Sequence, residues 1–113
     1  MPEFKGPDPG ELRRRITIEE VERTQDSYGE DQKEWTEVAS RRAKIEDLAG
    51  NLVTEGPEPQ ALSAARLTFR YYRGLSPTTH RLVDPDGATL NIQEITNPDG
   101  RKRWHVVTAV RVL

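Results

Sequence analysis

Few side chains in this sequence are of the types that carry out acid–base or metal chemistry. The two histidines, His80 and His105, form no His-x-x-x-His or His-x-His pair, which is the usual nucleus of a histidine metal site. The chain has no cysteine, so disulfides, thiolate ligands and cysteine nucleophiles are excluded. A catalytic histidine also needs an orienting partner, and no motif supplies one. We therefore expect no catalytic residue, no metal site and no cofactor.

The acidic motifs are better explained by structure than by chemistry. Asp84-Pro85-Asp86-Gly87 has part of a calcium-loop pattern, but it lacks the third oxygen ligand before the glycine, so a tight turn is favoured. Glu46 and Asp47 are neighbours on an alternating strand and should point to opposite faces. No glycine-rich phosphate loop is present. The sequence therefore predicts a protein that is not an enzyme.

One segment interleaves aromatic and basic residues in a way that could bind nucleic acid. Phe69-Arg70-Tyr71-Tyr72-Arg73 is similar to the stacking segments of single-strand-binding barrels. Phe69 and Tyr71 share an alternating apolar face with Leu67, however, which leaves Tyr72 and Arg70 outside. The net charge is −2, so the whole chain does not attract phosphate. A small β-barrel that binds nucleic acid stays as the alternative function.

Charge is unevenly distributed along the chain. The stretch from Thr17 to Glu37 is strongly acidic, whereas basic triplets occur at Arg13–Arg15 and Arg101–Arg103. Such runs are usually solvated strand faces, but opposite charges on two patches of one subunit would also favour a head-to-tail ring. The candidate assembly residues are Glu19, Glu20, Glu22, Asp26, Glu30, Asp31, Arg101, Lys102 and Arg103.

The elements that must position these residues are short strands. Apolar residues alternate with polar ones in several segments separated by Gly/Pro turns, a pattern typical of a small sandwich or barrel. The alternation slips between Ile18 and Val21, which predicts a bulge or a sharp bend. At 113 residues, with 34% hydrophobic and 32% charged residues, the chain can bury only a small core. We predict an all-β, small antiparallel β-barrel of about six strands with at most a short helix.

Two segments fall outside this pattern. Residues 1–10 are rich in proline and glycine and should form a flexible arm, which leaves residues 11–113 as a single barrel domain. Residues 49–63 carry glycines, prolines and two glutamates but no base. We expect one long loop there, with a possible helical turn near Ala61. A loop of that length is usually functional or disordered.

Several short signatures follow one another along the chain in a distinctive order and spacing. Their residues are Leu12, Arg13, Arg15, Ile16, Ile18, Tyr28, Gly29, Trp35, Ala43, Ile45, Leu48, Gly50, Arg70, Tyr71 and Pro77. In this order and spacing the chain resembles the tailed-bacteriophage head-closure family, also called head–tail joining, stopper or connector proteins. The resemblance runs from about Gly10 to the C-terminus, and the turn at residues 82–87 departs from it.

This resemblance implies a barrel fold and a structural function at the neck of the virion. Subunits of such proteins form a ring that joins the portal and adaptor rings above to the tail terminator or tail tube below, and the ring retains packaged double-stranded DNA without sequence specificity. The expected location is the virion neck, and the host cytoplasm during assembly, with no membrane. The loop between the second and third strands reaches into the channel; here its residues are Gly50, Asn51, Leu52, Val53, Thr54, Glu55, Gly56, Pro57, Glu58 and Pro59.

Overall fold

Six antiparallel strands close into one barrel. The computed structural model describes residues 6–25, 28–29, 31–53, 61–98 and 100–112. Within these ranges the strands are β1 (Arg14–Gln25), β2 (Asp31–Val53), β3 (Ala61–Arg70), β4 (His80–Val83), β5 (Thr89–Thr96) and β6 (Trp104–Val112). Their order around the barrel is β1-β2-β3-β6-β5-β4. The predicted fold class is confirmed.

The helical content of the described residues is one 3-10 turn, Pro9–Glu11. Asp8 precedes this turn, and its main-chain N–H donates to the Glu11 carboxylate at 3.3 Å. No helix in the described part of the chain is long and apolar enough to cross a membrane.

The core follows from the alternation of apolar residues along each strand. Side chains at every second position of a strand share one face, and in a closed barrel that face lines the interior. The fully buried side chains include Phe69, Ile16, Ile18, Leu67, Leu82 and Val107. Ala65, Leu67 and Phe69 therefore point inward, as the sequence predicts.

The predicted irregularity after Ile18 is present, but its extra residue is on β2 rather than on β1. Ile18 pairs with Ala39, but the next residue, Glu19, pairs with Glu37. Val38 is the extra residue, so β2 carries a bulge at this point. Beyond it, β1 and β2 continue as a two-stranded extension, because the pairing of β1 with β4 ends at Glu20.

The antiparallel pairing defines two ends of the barrel. β3 ends and β6 begins at what we call the upper end, and the β1–β2 turn belongs to the same end. The β2–β3 and β4–β5 connections belong to the lower end. The molecule measures 53 × 31 × 28 Å along its principal axes.

The prediction of a loop over residues 49–63 is wrong in its extent. β2 continues to Val53 and β3 starts at Ala61, and these two residues pair directly. The register shifts between Asp47 and Asn51, so Gly50 lies at an irregularity of the ladder rather than in a loop. The expected helical turn near Ala61 is likewise replaced by strand. Residues 54–60 lie outside the described residues.

Candidate assembly interface

The connection between β3 and β4 crosses the upper end of the barrel and carries aromatic residues into it. Tyr72 and Leu75 pack against the core. The Val21 main-chain N–H donates to the Thr79 carbonyl at 2.9 Å, and the Tyr71 N–H donates to the Arg103 carbonyl at 3.0 Å. The connection is therefore tied both to β1 and to the turn before β6.

The expectation that Tyr72 lies outside the barrel is wrong. β3 ends at Arg70, so the alternation that assigned Tyr72 to the outer face no longer applies beyond that residue. Tyr72 instead packs on the core, with the Arg41 guanidinium 5.6 Å from its ring centre. Arg70 lies on the outer face, with its guanidinium 4.2 Å from the centre of the Trp104 ring. These contacts make the aromatic residues of this segment structural.

Both histidines are buried at this upper end. The His105 Nε2–H donates to the Tyr72 carbonyl at 2.9 Å, and the His105 ring stacks on Tyr71 at 4.5 Å between centroids. Burial lowers the pKa of His105, and the hydrogen bond to Tyr72 opposes that effect in part. His80 Nδ1 accepts from the Ser76 main-chain N–H at 3.2 Å. Within the described ranges no three His, Asp or Glu side chains gather as metal ligands.

The lower end is fixed by a buried carboxylate that sequence reasoning missed. Asp84 Oδ1 accepts from the main-chain N–H groups of Asp86 and Ala88, both at 2.9 Å. Its Oδ2 accepts from Arg111 Nη1 at 3.2 Å. Asp84 thus closes the β4–β5 turn and ties it to the end of β6. The Asp-Pro-Asp-Gly signal predicted the turn, but nothing in the sequence pointed to Arg111.

The N-terminal segment lies on the outside of the barrel at Trp104. A Cβ atom at Gly6 would fall 2.5 Å from the Trp104 indole, so the backbone passes directly over the ring and only glycine fits. Gly6 of the predicted arm therefore contacts the barrel, residues 8–10 are exposed, and residues 1–5 lie outside the described residues. This segment borders a groove of about 440 Å³ lined in part by Pro7, Lys44 and Val106.

The predicted acidic assembly residues that the structure describes lie at the upper end: Glu19 and Glu20 pair with β4, and Glu22 lies on the β1–β2 extension. Glu20 and Glu22 are exposed on β1. Glu19 is engaged within its own subunit, because its carboxylate accepts from Arg81 Nε at 2.7 Å and Arg81 stacks on Trp35 at 4.3 Å. Asp31 begins β2. Asp26 and Glu30 lie outside the described residues.

The predicted basic assembly residues precede β6 at the same upper end. Arg101, Lys102 and Arg103 are all exposed, and Lys102 has a positive φ of 57°. Four of the predicted channel residues, Gly50 to Val53, belong to β2 at the lower end. The remaining channel residues, Thr54 to Pro59, lie outside the described ranges. Gly50 to Val53 therefore lie at the opposite end of the barrel from the described charged residues of the upper end.

Comparison with known proteins gives the chain its family. The phage head completion protein family matches residues 7–112, which is nearly the whole chain. The protein therefore belongs to the phage head completion protein family. That membership places it among the structural proteins of phage virions and implies a role that is not enzymatic.

Two solved structures share the fold. A chain in the virion of a native gene transfer agent particle matches with a TM-score of 0.71 at 14% identity, over 89% of this chain and 94% of that chain. The solution structure of protein SF1141 from Shigella flexneri 2a matches with a TM-score of 0.66 at 23% identity, over 93% of this chain and 96% of that chain. A search of curated proteins found no match.

Proposed function

We propose that this protein is a head-closure protein of the virion neck. Copies form a ring that joins the portal and adaptor rings to the tail and helps to retain packaged double-stranded DNA. The observation that carries the proposal is the family match over residues 7–112. The similar barrel in the virion of a gene transfer agent supports it.

The β2–β3 tip is our candidate for the channel gate. Strand pairing continues outward from the core through Asn51↔Ser63, Leu52↔Leu62 and Val53↔Ala61. Residues 54–60 therefore connect the ends of two strands that are paired up to that point. Those residues include Glu55 and Glu58 but no base. Basic side chains would bind phosphate and slow the exit of DNA, whereas repeated glutamates repel it. The tip therefore suits a gate that blocks DNA without adhering to it.

Removing the tip tests this gate. Residues 54–60 are replaced by Asn-Gly, which closes a two-residue hairpin between paired strands and leaves the barrel intact. We expect heads that join tails poorly or release DNA, measured as nuclease-protected genome per particle. The matched control, Glu55→Gln with Glu58→Gln, keeps the length and removes only the charge. Full genome retention and normal tail joining by the shortened protein would contradict the gate.

The charged surfaces of the upper end are our candidates for ring assembly. The set comprises the acids Glu19, Glu20, Glu22, Asp26, Glu30 and Asp31 and the bases Arg101, Lys102 and Arg103. Reversal of the three bases to glutamate should weaken incorporation into the neck, while circular dichroism of the isolated protein stays unchanged. Normal incorporation of that variant would exclude the basic triplet as an interface.

A further inference from the structure

The β1–β2 extension has two chemically different faces. We call the paired residues 21–25 and 31–35 the ribbon. In its register Val21 lies opposite Trp35 and Arg23 opposite Lys33, and these directly paired residues share one face. Glu22 lies opposite Glu34 on the other face.

The second face of the ribbon is acidic and exposed. Glu20 is two residues before Glu22 and shares its side of the strand; Glu20, Glu22 and Glu34 are all exposed. Like charges directly opposite each other destabilise a strand pair, so Glu22 and Glu34 weaken the isolated ribbon. A cationic surface placed against this acidic face would remove that repulsion.

The upper end of the barrel offers such a surface. Arg70 ends β3, and Arg73 follows in the connection to β4. The hydrogen bond from the Tyr71 N–H to the Arg103 carbonyl brings this connection beside the basic triplet 101–103. The segments 61–83 and 100–112 contain no acidic residue, although Asp99 lies two residues before the triplet, so the basic residues outnumber the acidic ones here. We call Arg70, Arg73, Arg101, Lys102 and Arg103 the basic end.

In the ring proposed above, two surfaces can join neighbouring copies only if they lie at the same height, and these two surfaces satisfy that condition. Rotation about a ring axis moves every residue at constant height, so two different patches join neighbouring copies only if they lie at the same height. The ribbon and the basic end both belong to the upper end of the barrel. We take the barrel axis as parallel to the ring axis, which places the base of the ribbon of one copy level with the basic end of the next.

We propose that the acidic face formed by Glu22 and Glu34 of the ribbon, together with Glu20 at the base of the ribbon, docks on the basic end of a second copy of this chain. The inference rests on the proposed ring and adds Glu34, Arg70 and Arg73 to the interface. It leaves out Glu19, whose carboxylate is held by Arg81 in its own subunit. Duplex DNA is the alternative anionic partner that the basic end could bind in place of a second copy.

Carbodiimide cross-linking of isotopically mixed protein tests the contact. The reagent joins a carboxylate directly to a lysine amine, and Lys102 is the lysine of the basic end. Unlabelled and 15N-labelled protein are mixed at about 1 mM, where a contact of millimolar dissociation constant is half formed. We expect hybrid-mass peptides that link Lys102 to Glu22 or Glu34. Absence of these hybrids, or hybrids through other pairs alone, would overturn the proposal.

Substitutions that reverse the charge of interface residues test the same contact more specifically. Glu34→Lys should lower the hybrid yield about tenfold, since it sets like charges against each other at an interface. Glu37→Lys is the matched control, because Glu37 pairs with Glu19 on the opposite face, and it should leave the yield unchanged. Mixing the Glu22→Lys/Glu34→Lys protein with the Arg73→Glu/Lys102→Glu protein should restore hybrids. No restoration would contradict the pairing.

Two further measurements separate this contact from its alternatives. The first measures binding of the wild-type protein to a DNA duplex of about 20 base pairs at low salt. The basic end is a DNA-binding surface, and the proposal is wrong, when three results coincide: the wild-type protein binds the duplex, the Arg73→Glu/Lys102→Glu variant does not, and cross-linked hybrids are absent. The head-closure function is tested apart from this, by mass spectrometry of purified particles. Particles that contain the protein while hybrids are absent refute only the docking contact. Particles that lack it refute the proposed function itself.

Discussion

The barrel half and the ribbon half of the β1–β2 hairpin are built from the same two strands, yet they differ in what stabilises them. In the barrel half, Ile16 and Ile18 are fully buried; of their partners, Ala39 packs against the core and Arg41 lies on the Tyr72 ring. Past the bulge the alternation of apolar residues stops, and both faces of the ribbon carry charges. The barrel thus has its own core, whereas the ribbon is joined to the barrel near its base, by contacts of Val21 and Trp35, and is otherwise held by pairing of its two strands.

The largest expected effect comes from disrupting the core in which the barrel half of the hairpin is buried, which Phe69 of β3 shares with Ile16 and Ile18. Phe69 is fully buried and contacts the His105 ring at 5.7 Å between centroids. Phe69→Ala should lower the free energy of unfolding by about 3–5 kcal/mol through lost burial and a cavity, measured by urea denaturation. Val21→Ala, half-buried in the ribbon, should cost far less. Equal losses would mean that the two halves do not differ as described.

The next effect concerns the closure of the lower end. Asp84→Ala removes the acceptor of two main-chain N–H groups and of Arg111, so it should cost about 1–3 kcal/mol of unfolding free energy. Asp86→Ala removes only an exposed ion pair with Arg14 at 3.5 Å, which should be worth less than about 1 kcal/mol. Comparable losses in denaturant melts would contradict the assigned role of Asp84.

A third prediction tests the contact of the N-terminal segment with the barrel. Gly6→Val cannot keep the close approach to Trp104, so the segment should detach and expose the indole. We expect a red-shifted tryptophan emission and a loss of about 1 kcal/mol, in the usual range for point substitutions. Gly10→Val is the control, because no atom lies within 4 Å of a Cβ built there. An unchanged emission in Gly6→Val would show that the segment does not cover Trp104.

Protonation of His105 at the upper end should make the stability of the barrel depend on pH. Burial lowers the pKa of His105 from 6.5, so as pH falls below that value the unfolded chain binds the proton before the folded one does. This contribution to stability is complete above pH 6.5 and is lost as pH falls toward the lowered pKa. His105→Gln should flatten the dependence between about pH 7 and 5.5, above the range in which carboxylates titrate. An identical slope in both proteins would exclude His105 as its source.

The smallest expected effect is on the stability of the ribbon, and it is a gain in stability rather than a loss. Glu34→Lys places opposite charges at the Glu22 pair and should stabilise the isolated subunit by about 0.2–1 kcal/mol. The same substitution should weaken association with a second copy. Thermal unfolding of dilute protein measures the first effect. A destabilised subunit would mean that the repulsion between Glu22 and Glu34 is not a cost to the free ribbon.

The sequence predicted the barrel, an irregularity after Ile18 and the inward face of β3, because apolar residues at alternate positions of a strand all point to the same, buried side. It missed the strands at Asn51–Val53 and Ala61–Ser63, where glycine and proline nearby suggested a loop, although the apolar pairs Leu52-Val53 and Ala61-Leu62 were available as a signal. It misplaced Tyr72 because the end of a strand has little local signature. Asp84 with Arg111 and Gly6 with Trp104 are long-range contacts, which periodicity does not encode.

The most direct test of a ring-forming head-closure protein is a cryo-electron microscopy reconstruction of the neck in particles that carry this protein. We predict a closed ring of this barrel between head and tail, with residues 54–60 of every copy directed at the central axis. A neck without the barrel, or a ring whose β2–β3 tips face outward, would contradict the account.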